Sequence, residues 1–70
     1  MSEIERKVLD YIIKFKQVNG IAPTREEIMM GLNYNSKSWI ESAVERLSDK
    51  GYITVIPNVT RGIIVVAFPD

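Results

Sequence analysis

The sequence contains no cysteine and no histidine. Without cysteine there is no disulfide and no thiolate metal site, and without histidine the commonest metal ligand and general base is missing. There is no phosphate-cradling glycine loop and no dinucleotide fingerprint. No carboxylate stands beside a nucleophile in a pattern that suggests catalysis, and 70 residues leave little room for a buried pocket. These absences argue against an enzyme and against any cofactor. No stretch approaches the roughly 20 apolar residues that a membrane helix needs. The opening Met1-Ser2-Glu3 lacks the basic-then-apolar order of a secretory signal, so the expectation is a cytoplasmic protein with no membrane partner. Excess charge is missing as well, because nine basic and nine acidic residues cancel. Nucleic-acid binders usually carry a basic surplus. A nucleic-acid role here therefore requires segregated charges, and it implies weak non-specific binding, which rests on phosphate neutralisation.

What is present suits a compact globule. Apolar residues make up 46% of the chain, which fits one domain over residues 1–70 whose core must carry the fold, alone or helped by self-association. Ser2 and Glu5 match a capping box. After them Ile4, Val8, Tyr11, Ile12, Phe15 and Val18 recur at helical steps, predicting a helix over about residues 3–18 that Asn19-Gly20 ends. Ile21-Ala22-Pro23 reads as extended, a minimal strand at most. Thr24 and Glu27 form a second capping box, opening a helix from about Arg25 to Gly31 that buries Ile28 and Leu32. A short turn, Asn33-Tyr34-Asn35, leads to a third helix capped by Asn35 or Ser36. Its stripe is Ile40, Ala43, Val44 and Leu47, and Lys50-Gly51 closes it. Tyr52–Ile56 and Ile63–Phe68 read as strands joined by the turn-rich Pro57–Gly62, a β-hairpin.

The expected fold class is thus α+β: a three-helix bundle with a C-terminal hairpin. The second and third helices, joined by about four residues, have the helix-turn-helix order in which the later helix enters the major groove. The hairpin then takes the place of a wing. The same elements also describe a plain bundle with no DNA role, because fold does not fix function.

Particular residues carry a resemblance. Pro23-Thr24-Arg25-Glu26-Glu27-Ile28 is similar to the segment that opens the second helix of LexA-type repressors. Leu32, Tyr34 and Ser36 follow at that family's spacing. Leu47, Lys50-Gly51, Ile53 and Thr60-Arg61-Gly62-Ile63 resemble the end of its third helix and its wing. The likeness runs over roughly residues 4–66 and implies a winged helix-turn-helix that binds double-stranded DNA as a transcriptional regulator. It places base-reading positions at Ser36, Ser38, Trp39, Glu41 and Ser42. Ser36 and Glu41 keep the family's residue types, whereas Ser38 replaces Asn, Trp39 replaces Ala and Ser42 replaces Glu, so the usual SOS operator is not the expected target. The family's repressors continue into a self-cleaving peptidase domain that these residues do not include. A stand-alone regulator of the kind carried by phages and mobile elements, or a fragment, are both compatible with that.

Each position also has a plainer reading. Ser36 is an N-cap whether or not it touches DNA, and helix N-termini bind phosphate. Lys37 faces phosphate or solvent. Trp39, beside buried Ile40, contacts a thymine methyl or the sugar-phosphate edge, anchors a protein partner, or packs in the core. Glu41 accepts from a cytosine amino group or faces solvent. Arg61 is a phosphate or minor-groove candidate. Arg25 contacts backbone or pairs with a carboxylate. In the second strand, Ile63, Val65 and Ala67 should point inward, leaving Ile64, Val66 and Phe68 outward. That outer face suggests a homodimer contact or a protein partner, and it motivates the alternative of a winged-helix module that binds a repressor, polymerase or replication protein.

Overall fold

The computed structural model describes residues 1–68. The single-domain expectation over 1–70 includes Pro69 and Asp70, which lie outside the described residues. Helix α1 spans Glu3–Asn19, α2 Arg25–Gly31 and α3 Lys37–Asp49. Strands β1 (Ile53–Val55) and β2 (Ile63–Val65) follow as an antiparallel pair, with Ile53 opposite Val65, Thr54 opposite Ile64 and Val55 opposite Ile63. Three helices followed by a two-stranded hairpin give the α+β winged helix-turn-helix.

The core is where the helical stripes meet. Val8, Leu9 and Ile12 of α1, Ile28 of α2, and Ile40, Ala43, Val44 and Leu47 of α3 are buried together with Ile53 and Ile63 of the hairpin. Each large aliphatic side chain so buried contributes about 2 kcal/mol. Leu9, outside the expected α1 stripe, is completely buried, whereas Val18 is exposed. The α1 seam is therefore set one position over from the reading, and Val18 lies in the last turn. No helix among the described residues is long and apolar enough to cross a membrane.

Helix ends follow local chemistry. The α2 and α3 C-termini use the same device. Asn33 (φ 60°) and Gly51 (φ 84°) adopt the left-handed conformation. Tyr34 N then donates to Met29 O and Tyr52 N to Leu47 O, the long bond of a Schellman motif. Gly31 has another purpose: a Cβ there would collide with the outer end of the Tyr11 side chain, so its missing side chain makes room for Tyr11 between α1 and α2.

Three expectations are corrected. The Ser2 hydroxyl accepts from Glu5 N (3.3 Å), but the box is not closed, because the Glu5 side chain turns to Lys50 and Arg46. Residues 21–23 form no strand; the Ala22 carbonyl accepts instead from Arg61 Nη1 at 2.9 Å. The hairpin ladder is also shorter than Tyr52–Ile56 and Ile63–Phe68. Both Val66 N and Ala67 N donate to the single Tyr52 carbonyl, so the register is lost after Val65. The alternation of faces nevertheless holds: Ile63 is buried, Val65 and Ala67 are half-buried, and Ile64, Val66 and Phe68 are exposed.

Candidate nucleic-acid interface

Burying Ile40, Ala43, Val44 and Leu47 turns the rest of α3 outward, so Lys37, Ser38, Trp39, Glu41 and Ser42 are exposed. Ser36 occupies the N-cap position, half-buried, with extended backbone. Its hydroxyl does not cap the helix; it exchanges a hydrogen bond with Ser38 Oγ at 2.9 Å. The first N–H groups of α3 thus lack a side-chain acceptor, the arrangement in which a helix N-terminus attracts an anion. Lys37 Nζ stands 3.6 Å from Glu26 Oε1, both side chains well exposed. Such a pair is weak and exchanges readily for another anion.

The two flanks of α3 differ. On the α1 side, Trp39 is 61% exposed, which rules out the core-packing reading. Its ring meets Tyr34 edge-on, with centroids 6.3 Å apart. Glu3, Ile4, Tyr34, Trp39, Ser42 and Arg46 line an open groove of about 420 Å³ there. On the hairpin side, Glu41, Glu45 and Asp49 recur every four residues as one acidic stripe, and none is in an ion pair among the described residues. Arg25, half-buried in the first turn of α2, lines the groove beside that stripe and a second groove formed by Val55–Thr60. It has no ion pair among the described residues, so it remains a free cation between α3 and the hairpin.

Arg61 lies against α2 with its side chain 38% exposed. Nη1 donates to Glu27 Oε1 at 2.6 Å and to Ala22 O at 2.9 Å, and Nη2 donates to Glu27 Oε2 at 3.2 Å. The same Glu27 closes the capping box of α2, where Thr24 N donates to its Oε1 at 2.8 Å and Thr24 Oγ1 accepts from Glu27 N. The Arg61 guanidinium first, and then the Thr24 N–H, pull the Glu27 carboxyl down to about 2. Glu27 in turn raises the Arg61 guanidinium.

At the far end of α3, Glu5 is only 3% exposed. It accepts from Lys50 Nζ at 2.6 Å and lies 3.8 Å from Arg46 Nη1. The Lys50 hydrogen bond lowers its carboxyl despite burial, which acts to raise it. Among the described residues, six of the nine cations are held in ion pairs.

The structure therefore brings Lys37, Ser38, Trp39, Glu41 and Ser42 onto the exposed surface of α3, with half-buried Ser36 at its start, Arg25 beside it and Arg61 bound to α2. The sequence reading did not name Tyr34 and Arg46 as walls of the Trp39 groove, nor Glu27 as the partner of Arg61. Arg46 and Trp39 are seven residues apart on one helix, a spacing that was available as a signal. The Glu27–Arg61 contact joins residues 34 apart and had none.

Known proteins support the same assignment. The family model described as LexA DNA binding domain matches residues 1–62. The chain is 37% identical over 59 residues to a LexA repressor of Haemophilus influenzae, covering 84% of this chain and 28% of that protein. It is 32% identical over 66 residues to a LexA repressor of Zymomonas mobilis, covering 94% and 30%. A LexA repressor of Pelagibacter ubique is 27% identical across the whole chain and 31% of its own length. The chain thus spans less than a third of these curated relatives. Its helices, hairpin and sequence place it together with them: the chain belongs to the LexA DNA binding domain family.

Proposed function

We propose that this chain is a sequence-specific, double-stranded DNA-binding transcriptional regulator that reads the major groove with the leading edge of α3. The observation that carries the reading is the exposed set Lys37, Ser38, Trp39, Glu41 and Ser42 on α3, the second helix of the helix-turn-helix, in a chain of this family. Ser36, Ser38, Trp39, Glu41 and Ser42 meet the bases. The α3 N–H groups, Lys37 and Arg25 hold phosphates. Arg61 supports the hairpin. One module of this size buries limited surface, so two copies on a two-part site supply useful specificity.

The charge arrangement sets the character of binding. With six of the nine cations engaged in ion pairs among the described residues and an acidic stripe along α3, attraction to arbitrary DNA is weak. Specificity then rests on base contacts. Because Ser38, Trp39 and Ser42 depart from the residue types the resemblance implies, the preferred sequence differs from the SOS operator.

Selection from a randomised duplex library tests this. The reading predicts an enriched sequence whose affinity falls with salt. Ser38→Ala changes the preferred bases, and Trp39→Ala weakens binding to the selected duplex by about tenfold, the scale of one lost specific contact. A library that returns no enriched sequence overturns it.

One observation favours a second reading. Ile64, Val66 and Phe68 form an exposed apolar row on the outer hairpin face, where Phe68 is 68% exposed. With Ile13, Lys16 and Gln17 of α1, Ile64 and Phe68 line a cleft of about 210 Å³. A second copy or a protein partner such as a repressor, polymerase or replication protein fits this face. Concentration-dependent sedimentation of wild type and Phe68→Ser separates self-association from a monomer that needs another partner.

A further inference from the structure

We propose that Arg61 acts as a latch between the hairpin tip and the recognition unit, a positioning residue whose partner is Glu27 rather than a phosphate. The proposal rests on the DNA-binding reading and assigns Arg61 its role within it.

Three chain segments converge on this guanidinium. It donates to the loop before α2 at Ala22 O, and it donates through two nitrogens to both oxygens of Glu27 in the first turn of α2. It is itself carried by the hairpin connector. A two-nitrogen contact to a carboxylate fixes orientation as well as distance, which a lysine does not reproduce. Glu27 is already immobilised, because the same Oε1 accepts from Thr24 N. The capping box that starts α2 therefore doubles as the anchor for the hairpin.

The connector is shaped to deliver Arg61 to that anchor. Pro57 followed by Asn58 at φ 62° has the residue order of a type II turn. The tip closes through Gly62 N donating to Val59 O and Ile56 N donating to Gly62 O. A Cβ on Gly62 would lie 2.8 Å from Ile56 O and 3.0 Å from Val59 O, so only glycine allows the fold-back beside Arg61. Residues 57–60 are exposed, and β1 and β2 pair over only three residues each. So short a ladder does not fix the tip by itself. The latch sets where the tip stands relative to α3, and with it where a hairpin contact falls on DNA.

Salt dependence separates a latch from a phosphate contact. The selected duplex is titrated with wild type, Arg61→Ala, Arg61→Lys, Glu27→Gln and the double variant at several salt concentrations, well below each unfolding temperature. The latch predicts that Arg61→Ala and Glu27→Gln each weaken binding by about tenfold, that the double variant is no worse than either, and that the slope of log affinity against log salt is unchanged. Arg61→Lys recovers part of the loss. A direct phosphate contact instead makes Arg61→Ala flatten the slope by about 0.9, and makes Glu27→Gln tighten binding by removing a competing anion. Either result overturns the latch. Amide exchange of Ile56 and Gly62, whose N–H groups close the tip, tests it without DNA in the free protein: faster exchange in both single variants supports it, and unchanged exchange sinks it. Wild type that binds no duplex counts against the DNA reading while leaving this exchange result standing.

Discussion

Two helices of this protein start with the same four-residue pattern and use its glutamate differently. In Thr24-x-x-Glu27 the side chains bond reciprocally, and Glu27 then takes Arg61 on its outer side at the surface. In Ser2-x-x-Glu5 the serine bonds to the helix, but Glu5 leaves the pattern, goes beneath the surface and meets Arg46 of α3 and Lys50 at its C-cap. The local motif decides where a helix begins. Burial and the available partner decide what the carboxylate does next. Glu27 joins α2 to the hairpin near the proposed interface, whereas Glu5 joins α1 to the end of α3 away from its leading edge.

The largest expected effect comes from reversing the buried charge. Glu5→Lys places a cation at a buried position against the half-exposed Lys50 and Arg46, so the melting temperature should fall by about 15 °C or more. Glu27→Lys, at a half-exposed site open to solvent, should lower it by about 5 °C. Circular dichroism melts check both, and equal losses would break the distinction between a buried and a surface tie.

Acid titration sharpens it. Both carboxyls are held below their ordinary value of 4.5 in the folded protein, Glu27 down to about 2. A lowered folded value means stability that is fully present above the unfolded value and is lost as pH falls through the folded one. Melting temperature should therefore decline from about pH 5 downward and keep declining toward pH 2. Glu27→Gln should flatten the low end of that curve. If the variant and wild type decline in parallel below pH 4, Glu27 is not held as described.

How much of this was legible in the sequence depends on chain distance. The bounds of α2, the end of α1 at Gly20 and the end of α3 before Gly51 were readable, because capping residues act within four or five positions. The exposure of Lys37, Ser38, Trp39, Glu41 and Ser42 followed from the Ile40–Leu47 stripe. The Glu5–Lys50 and Glu27–Arg61 ties join residues 45 and 34 apart, and no periodicity announces them. Glu5 and Leu9 sit on a seam chosen by how α1 packs, which Val18 and Phe15 masked in the pattern. The apolar run to Phe68 implies a longer hairpin than forms, because the ladder stops where Val66 and Ala67 compete for one carbonyl.

The smallest effects lie at the caps themselves. Thr24→Ala removes a closed box and should cost about 1 kcal/mol in denaturant unfolding. Ser2→Ala removes one bond without a reciprocal partner and should cost roughly half that. A larger loss at Ser2 than at Thr24 would reverse the comparison between the two helix starts.

Trp39, the sole tryptophan, sits on the proposed interface and gives the most direct test. Its fluorescence, followed while the selected duplex is added, should change to saturation at the same concentrations that shift DNA anisotropy, and should revert when salt is raised. Binding seen by anisotropy with an unaltered Trp39 spectrum would place DNA elsewhere on the protein and contradict the account.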